Sequence, residues 1–285
     1  LEGPRDPRQV AVGAGVALIL IGLVKKVAIA DYLGRTVVDP VFGVPQAYSA
    51  PDVILATYAY TAQIYCDFSG YTDMAIGLAL LMGFVFPQNF DRPYRSASFR
   101  EFWRRWHMTL SRFLRDFLYI PIGGNRGGRW KTVRNLMITM TLGGLWHGAA
   151  WTYVVFGAFH GVMLSINHLA DGRVKMPKWA AWALTFNLLA FAFVIFRSQD
   201  LSLAGEYFSR LVEPGAATLY SVPAVLAIVA VIGFQLLPEH RFDDLRIRFE
   251  RTSPVLLGAA LAVLIALVAA TVPSQGVPPF IYFQF

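Results

Sequence analysis

The sequence predicts an all-α, multi-pass membrane protein, and three observations carry that prediction. Hydrophobic residues make up 56% of the 285 residues and charged ones only 15%, against about 45–50% and about 25% in soluble domains. The mean hydropathy is +0.49. Low-charge stretches recur at 9–24, 53–66, 74–90, 135–170, 179–196, 214–238 and 252–285, and about 20 apolar residues cross a bilayer core as helix. We therefore expect about 7–9 transmembrane helices in this chain, with an interfacial amphipathic helix and a re-entrant turn. The lone cysteine, Cys66, excludes an intrachain disulfide and reads as a small buried residue. No CxxC or HxxxH spacing suggests a zinc cluster, and no metal is expected. The chain begins with Leu and shows no signal-peptide pattern, so something is expected to precede it.

The first apolar segment runs from Val10 into "IGLVKKVAIAD" (21–31), where Lys25 and Lys26 are read as ending the span at the interface. In "YTAQIYCDFSGYTDMAIGLALLMGF" (60–84), Ser69-Gly70 reads as a break between two helical pieces, with Thr72 or Asp73 capping the second. Asp67 lies among apolar residues, and a partner is expected for it in Lys25, Lys26 or an arginine.

Residues 88–134 carry eleven Lys/Arg against three acids, a local +8 that exceeds the +7 of the whole chain. The positive-inside rule turns this segment to the cytoplasm. Its cations alternate with Trp and Phe between apolar spans, which favours lipid headgroups or an anionic cytosolic substrate over nucleic acid. Within it, "SFREFWRRWHMTLSRFLRDFLY" (98–119) reads as one amphipathic helix lying in the interface. His107 falls at the edge of its apolar arc beside Arg100, Arg104 and Ser111, neither fully wet nor fully buried. The connector "YIPIGGNRGGRW" (119–130) has two readings. Its backbone N–H groups with Asn125, Arg126 and Arg129 could hold an anionic group, or it is a flexible re-entrant turn; it lacks the GxxxxGK[ST] pattern of a nucleotide loop.

Residues 135–170 contain no charged side chain. As one helix they would measure about 54 Å, so either a broken helix or two joined helices is expected. Gly143, Gly144, Gly148, Gly157 and Gly161 mark candidate breaks or close helix contacts. His147 stands in this stretch, in "GGLWHGAAW", beside Trp146 and Trp151. An ionisable residue at membrane depth suggests a functional site. Burial keeps imidazole neutral, the state a general base requires. A histidine hydrogen-bonding a neighbouring helix explains its position equally well. Two further histidines, His160 and His168, follow with no role assigned. No internal repeat supports a transporter.

The stretches "QIYCDFSGYTDMAIGLALLMGFVFPQNFDRPYRSASFREFWRRWHMTLSRFLRDFLYIPIGGNRGG" and "LGGLWHGAAWTYVVFGAFHG", with "GLVKKVAIAD" near the start and "PPFIYFQF" at the end, resemble the membrane-bound O-acyltransferase family. The likeness is strongest to the bacterial branch that O-acetylates exported polysaccharides such as alginate. It implies a single membrane domain of that family over 1–285, forming the C-terminal portion of a longer chain, with 88–134 as its cytosol-facing basic segment. It implies His147 as the signature catalytic histidine and His107 as the second motif histidine. Substrate contacts are expected from Asn125, Arg126, Arg129, Trp146, Ser111 and Arg104. No tightly bound cofactor is implied; the donor is an acyl thioester such as acetyl-CoA. Membrane lipids and periplasmic acetyltransferase proteins are the implied partners, in the bacterial inner membrane. Relatives that acylate peptidoglycan, cellulose or teichoic acid, and a proton-coupled transporter subunit, are the alternatives.

Overall fold

The computed structural model describes residues 11–170, 175–238 and 252–271. The polar opening (1–9), most of the connector 238–254 and the closing motif 278–285 lie outside the described residues. Among the described residues every regular element is helical, as a chain that must satisfy its backbone internally within lipid requires. The helices are α1 (Val12–Gly43), α2 (Ala50–Leu81), α3 (Phe99–Arg105), α4 (Met108–Leu114), α5 (Arg129–Leu145), α6 (Trp151–Ala170), α7 (Lys178–Arg197), α8 (Leu201–Ser209), α9 (Val222–Leu236) and α10 (Pro254–Thr271). Helices α1, α6 and α7 are long and apolar enough to cross a membrane, and α9 is a shorter apolar helix. The described residues form two compact units, one of residues 11–33, 62–88, 236–238 and 252–271, the other of residues 34–61, 89–170 and 175–235.

In the first unit, the initial part of α1 packs against α10, burying Ala17, Leu20 and Leu257 together. It also packs against α2 through glycines. A Cβ at Gly22 would fall 2.5 Å from the Gly70 carbonyl oxygen, and one at Gly77 would fall 2.6 Å from that of Gly15. These paired glycines let two backbones touch, the packing favoured where lipid gives no hydrophobic drive. Gly70 therefore serves a helix contact. The break expected at Ser69-Gly70 is absent, and α2 is continuous from Ala50 to Leu81. Asp73 does not cap a helix; it receives Lys25 at 2.7 Å.

The span expected to end at Lys25-Lys26 instead runs on through them to Gly43. Both ammonium groups find carboxylates, which removes the need to reach water. Lys26 meets Asp67 at 2.6 Å and Asp31 at 2.8 Å. The helix widens into π turns over Val24–Ala30, and this brings Lys26 onto Asp31, five residues on. Asp67 thus has the lysine partner the sequence suggested. Both carboxylates are almost fully enclosed, with side chains 6% and 4% exposed. Removing the cation from such a cluster typically costs about 3–5 kcal/mol. Lys26→Met is expected to lower the unfolding temperature of the purified protein sharply, whereas Arg115→Met, which removes an exposed ion pair with Asp116, leaves it within error. Cys66 is buried, as expected.

In the second unit, α5 and α6 form a tightly packed pair, and α6 packs in turn on α3 and α7. Tyr94 ties the stretch before α3 into this unit. Its hydroxyl donates to the Thr61 carbonyl (2.6 Å), its N–H to Gln235 Oε1 (3.0 Å), and its carbonyl accepts from Trp182 Nε1 (2.8 Å). Ser98 opens α3 by accepting the Glu101 N–H, while the Glu101 carboxylate reaches back to the Ala97 N–H, a reciprocal cap of the kind that fixes helix starts.

Candidate active site

The single amphipathic helix expected over 98–119 is two helices. It breaks at Trp106–His107, where His107 takes a left-handed conformation (φ +42°). Non-glycine residues rarely adopt this geometry without outside support. That support is a second stretch of chain. Asp91 N–H donates to the Arg105 carbonyl, and Met108 N–H donates to the Asn89 carbonyl, each at 2.9 Å. Arg105 Nη1 adds a 2.6 Å bond to the Asp91 carboxylate. Residues 89–91 thereby take over the backbone groups that the end of α3 and the start of α4 would otherwise leave unpaired. The helical periodicity survives on both sides, so Phe99, Phe102, Trp106, Leu110 and Leu114 share one buried face. That face packs into protein rather than lipid; Phe113 and Phe117 remain exposed.

His107 is correspondingly more enclosed than its place on the seam suggested, at 9% exposure. Its Nδ1 lies 3.2 Å from Asn89 Oδ1. The same oxygen accepts from Thr109 N–H (3.2 Å) and Thr109 Oγ1 (2.9 Å). Burial pushes the His107 imidazole down to about 3, and the neighbouring His147 adds to the effect by opposing a second positive charge. Burial thus favours the neutral form of His107.

His147 occupies the turn between α5 and α6, which settles the 36-residue apolar stretch as two joined helices. At the end of α5 the backbone tightens, with His147 N–H donating to Gly144 and Gly148 N–H to Leu145. Three-residue bonds of this kind are usual in a last helical turn. Glycines make the hairpin close. A Cβ at Gly144 would lie 2.1 Å from the Tyr153 carbonyl oxygen, and one at Gly157 would lie 2.3 Å from that of Met140. The His147 ring is half-buried among the rings of Trp146, Tyr153 and Phe196, at centroid distances of 5.1, 6.3 and 5.2 Å. Trp146 also meets His107 edge-on at 6.3 Å, so one indole lies against both imidazoles.

Beside His147 is a small cavity lined by Trp103, Leu110, Leu114, Met140, Phe156 and the glycines of the hairpin. Leu114 reaches Gly143, where a Cβ would fall 2.9 Å from its Cδ1. The cavity is thus apolar, with the His147 imidazole as its titratable group.

The other candidate residues are placed less closely. Ser111 donates its hydroxyl to the Trp106 carbonyl (3.2 Å) at the helix break. Arg104 is exposed. Asn125 and Arg126 are exposed on a glycine turn whose form is set by positive φ at Gly123, Gly124, Gly127 and Gly128 and by Asn135 Nδ2 donating to the Gly124 carbonyl. Arg129 donates to the Leu169 carbonyl at the end of α6. Asn125, Arg126 and Arg129 are not among the residues that line the cavity beside His147. Two residues that sequence reasoning passed over belong here. Asn89 holds His107, and nothing in its local sequence marks it. His160 is fully buried on α6, its Nδ1 accepting from Trp103 Nε1 at 3.1 Å. Its "HG" pairing, shared with His147-Gly148, was the available signal.

The family model for MBOAT, the membrane-bound O-acyltransferase family, matches residues 11–201, and the chain belongs to that family. It is 40% identical to the probable alginate O-acetylase AlgI of Pseudomonas putida over 95% of this chain and 61% of the relative. It is 50% identical to the protein of the same description from Pseudomonas syringae, over 70% of this chain and 39% of the relative. A peptidoglycan O-acetyltransferase of Helicobacter pylori is 42% identical over 73% of this chain and 40% of its own length. The chain spans about 40–60% of the length of these relatives.

Proposed function

We propose that the protein moves an acetyl group from a cytosolic thioester, acetyl-CoA, onto an exported alginate-like polysaccharide or onto a periplasmic acetyltransferase that completes the transfer. His147 is the general base. The observation that carries this reading is the meeting of two imidazoles on one indole beside an apolar cavity, in a chain of the acyltransferase family. In the step proposed, His147 takes the proton of an acceptor hydroxyl as its oxygen attacks the thioester carbonyl. The carbon–sulfur bond breaks, and the departing thiolate recovers the proton. A neutral imidazole is the form able to accept that proton. The arginines and lysine of residues 92–134 attract the donor's phosphates from the cytosolic side of the bacterial inner membrane. Asn125, Arg126 and Arg129 contribute to that attraction from the exposed turn, while Trp146 packs beside the reacting groups.

A second reading has a specific basis in the likeness to the Helicobacter pylori peptidoglycan O-acetyltransferase: the same chemistry on another envelope acceptor. Membranes holding the full-length protein and radiolabelled acetyl-CoA separate the readings when alginate and peptidoglycan are supplied in turn. Labelled ester on alginate is the expected result. Label on peptidoglycan alone selects the second reading, and polymer movement without any labelled ester points to a transporter instead.

A further inference from the structure

The hydrogen bonds around Asn89 fix a property of His107 that the positions of its atoms leave open. Thr109 N–H, a group that can only donate, points at one atom of the Asn89 side-chain amide at 3.2 Å. That atom is therefore the oxygen, and the Thr109 hydroxyl donates to it as well at 2.9 Å. The nearest ring nitrogen of His107, Nδ1, faces the same oxygen at 3.2 Å. An amide oxygen has only lone pairs to offer, so Nδ1 must carry the hydrogen. In neutral imidazole the lone pair then belongs to Nε2, across the ring from Asn89.

Asn89 is itself buried, at 7% exposure, and its main-chain carbonyl accepts the Met108 N–H. One residue thus holds both the unusual backbone of His107 and the orientation of its ring. His147, on the α5–α6 turn, is a titratable group that acts on His107. Asn89, Thr109 and Trp146, the other named neighbours, are neutral.

We propose that Asn89 is a positioning residue that locks His107 as the Nδ1–H tautomer, which leaves the lone pair of the neutral ring on Nε2. Resting on the acyl-transfer reading, this assigns His107 to orienting the acceptor hydroxyl. It excludes the alternative in which neutral His107 donates to the thioester carbonyl oxygen.

The test reads the tautomer without turnover. Full-length protein labelled with ¹⁵N-histidine is compared by NMR with Asn89→Leu and Asn89→Asp, the His107 signals being assigned by their loss in His107→Gln. Wild type is expected to show Nδ1 protonated and Nε2 bare. Asn89→Leu is expected to lose that preference and to lower kcat for acetyl transfer by about 10–100-fold, the usual effect of removing a group that orients a functional histidine. Asn89→Asp keeps an acceptor oxygen. It should retain the tautomer and most of the activity, with the acid limb of the pH–rate profile moved to higher pH because a carboxylate favours the imidazolium. A structural role alone would leave that limb in place. An Nε2–H tautomer in wild type, or an unchanged His107 spectrum in Asn89→Leu, overturns the proposal. Wild-type protein with the Nδ1–H tautomer but no acetyl transfer would retire the acyltransferase reading and leave the assignment of Asn89 standing.

Discussion

His147→Gln is expected to cut acetyl transfer by about 10²–10⁴-fold, the usual contribution of a general base, while the protein still inserts and accumulates normally. Glutamine approximates the size and polarity of the imidazole but cannot take a proton at neutral pH. The packing around position 147 should survive, because His147 lies in the turn after α5 and the hairpin is closed elsewhere, by Gly144 against Gly157 and Tyr153. The loss should fall on kcat. The KM for acetyl-CoA should change little, since the cations assigned to its phosphates lie in residues 92–134. Steady-state transfer in membranes, normalised to protein amount by immunoblot, checks this. A variant that works as well as wild type at equal abundance removes His147 from the chemistry.

Gly144→Ala is expected to have the largest effect on stability. The added methyl would lie 2.1 Å from the Tyr153 carbonyl oxygen and 2.9 Å from the Gly157 Cα. Both are backbone atoms, so no side-chain rotation relieves the clash and the two helices must separate. Overpacking in ordinary cores costs about 1–3 kcal/mol, and contact with backbone places this substitution at or above the upper end. Because the same hairpin carries His147, transfer activity should fall with stability. Gly205→Ala is the control. A Cβ there meets nothing within 4 Å, and in a helix the exchange should stabilise by up to about 1 kcal/mol. Unfolding temperatures in detergent should therefore drop for Gly144→Ala and hold or rise for Gly205→Ala.

Much of this architecture was readable from one-dimensional pattern. The low-charge stretches at 179–196, 214–238 and 252–285 overlap α7, α9 and α10, because chain in lipid needs length and apolarity more than detail. The glycines at 144, 157 and 161 marked a close helix pair for a local reason: a missing side chain permits backbone approach wherever the partner is. What sequence alone misjudged depended on partners far along the chain. Gly70 looks like a break until Gly22 is placed against it. Lys25 and Lys26 look like an interface until Asp73 and Asp67 supply their counter-charges. The 98–119 segment keeps helical periodicity through His107, yet Asn89, eighteen residues earlier, takes over its backbone and ring.

The candidate site divides in the same way. His147 stood out because a polar ring in a 36-residue uncharged stretch is locally anomalous. Trp146, its neighbour in sequence, came with it. Asn89 and His160 act through hydrogen bonds to His107 and Trp103, pairings that no spacing rule anticipates. Asn125, Arg126 and Arg129 are marked in the sequence by charge and glycine content, and those properties describe an exposed turn as well as a binding loop.

The role of His147 as the proton acceptor is tested most directly by chemical rescue. His147→Ala in the full-length protein removes the imidazole and leaves space beside the apolar cavity, where free imidazole in the buffer can take its place. Single-turnover acetyl transfer should be almost absent in the variant and should recover with added imidazole, in proportion to its uncharged fraction as pH is raised. Transfer by His147→Ala at the wild-type rate with no imidazole present would contradict the account.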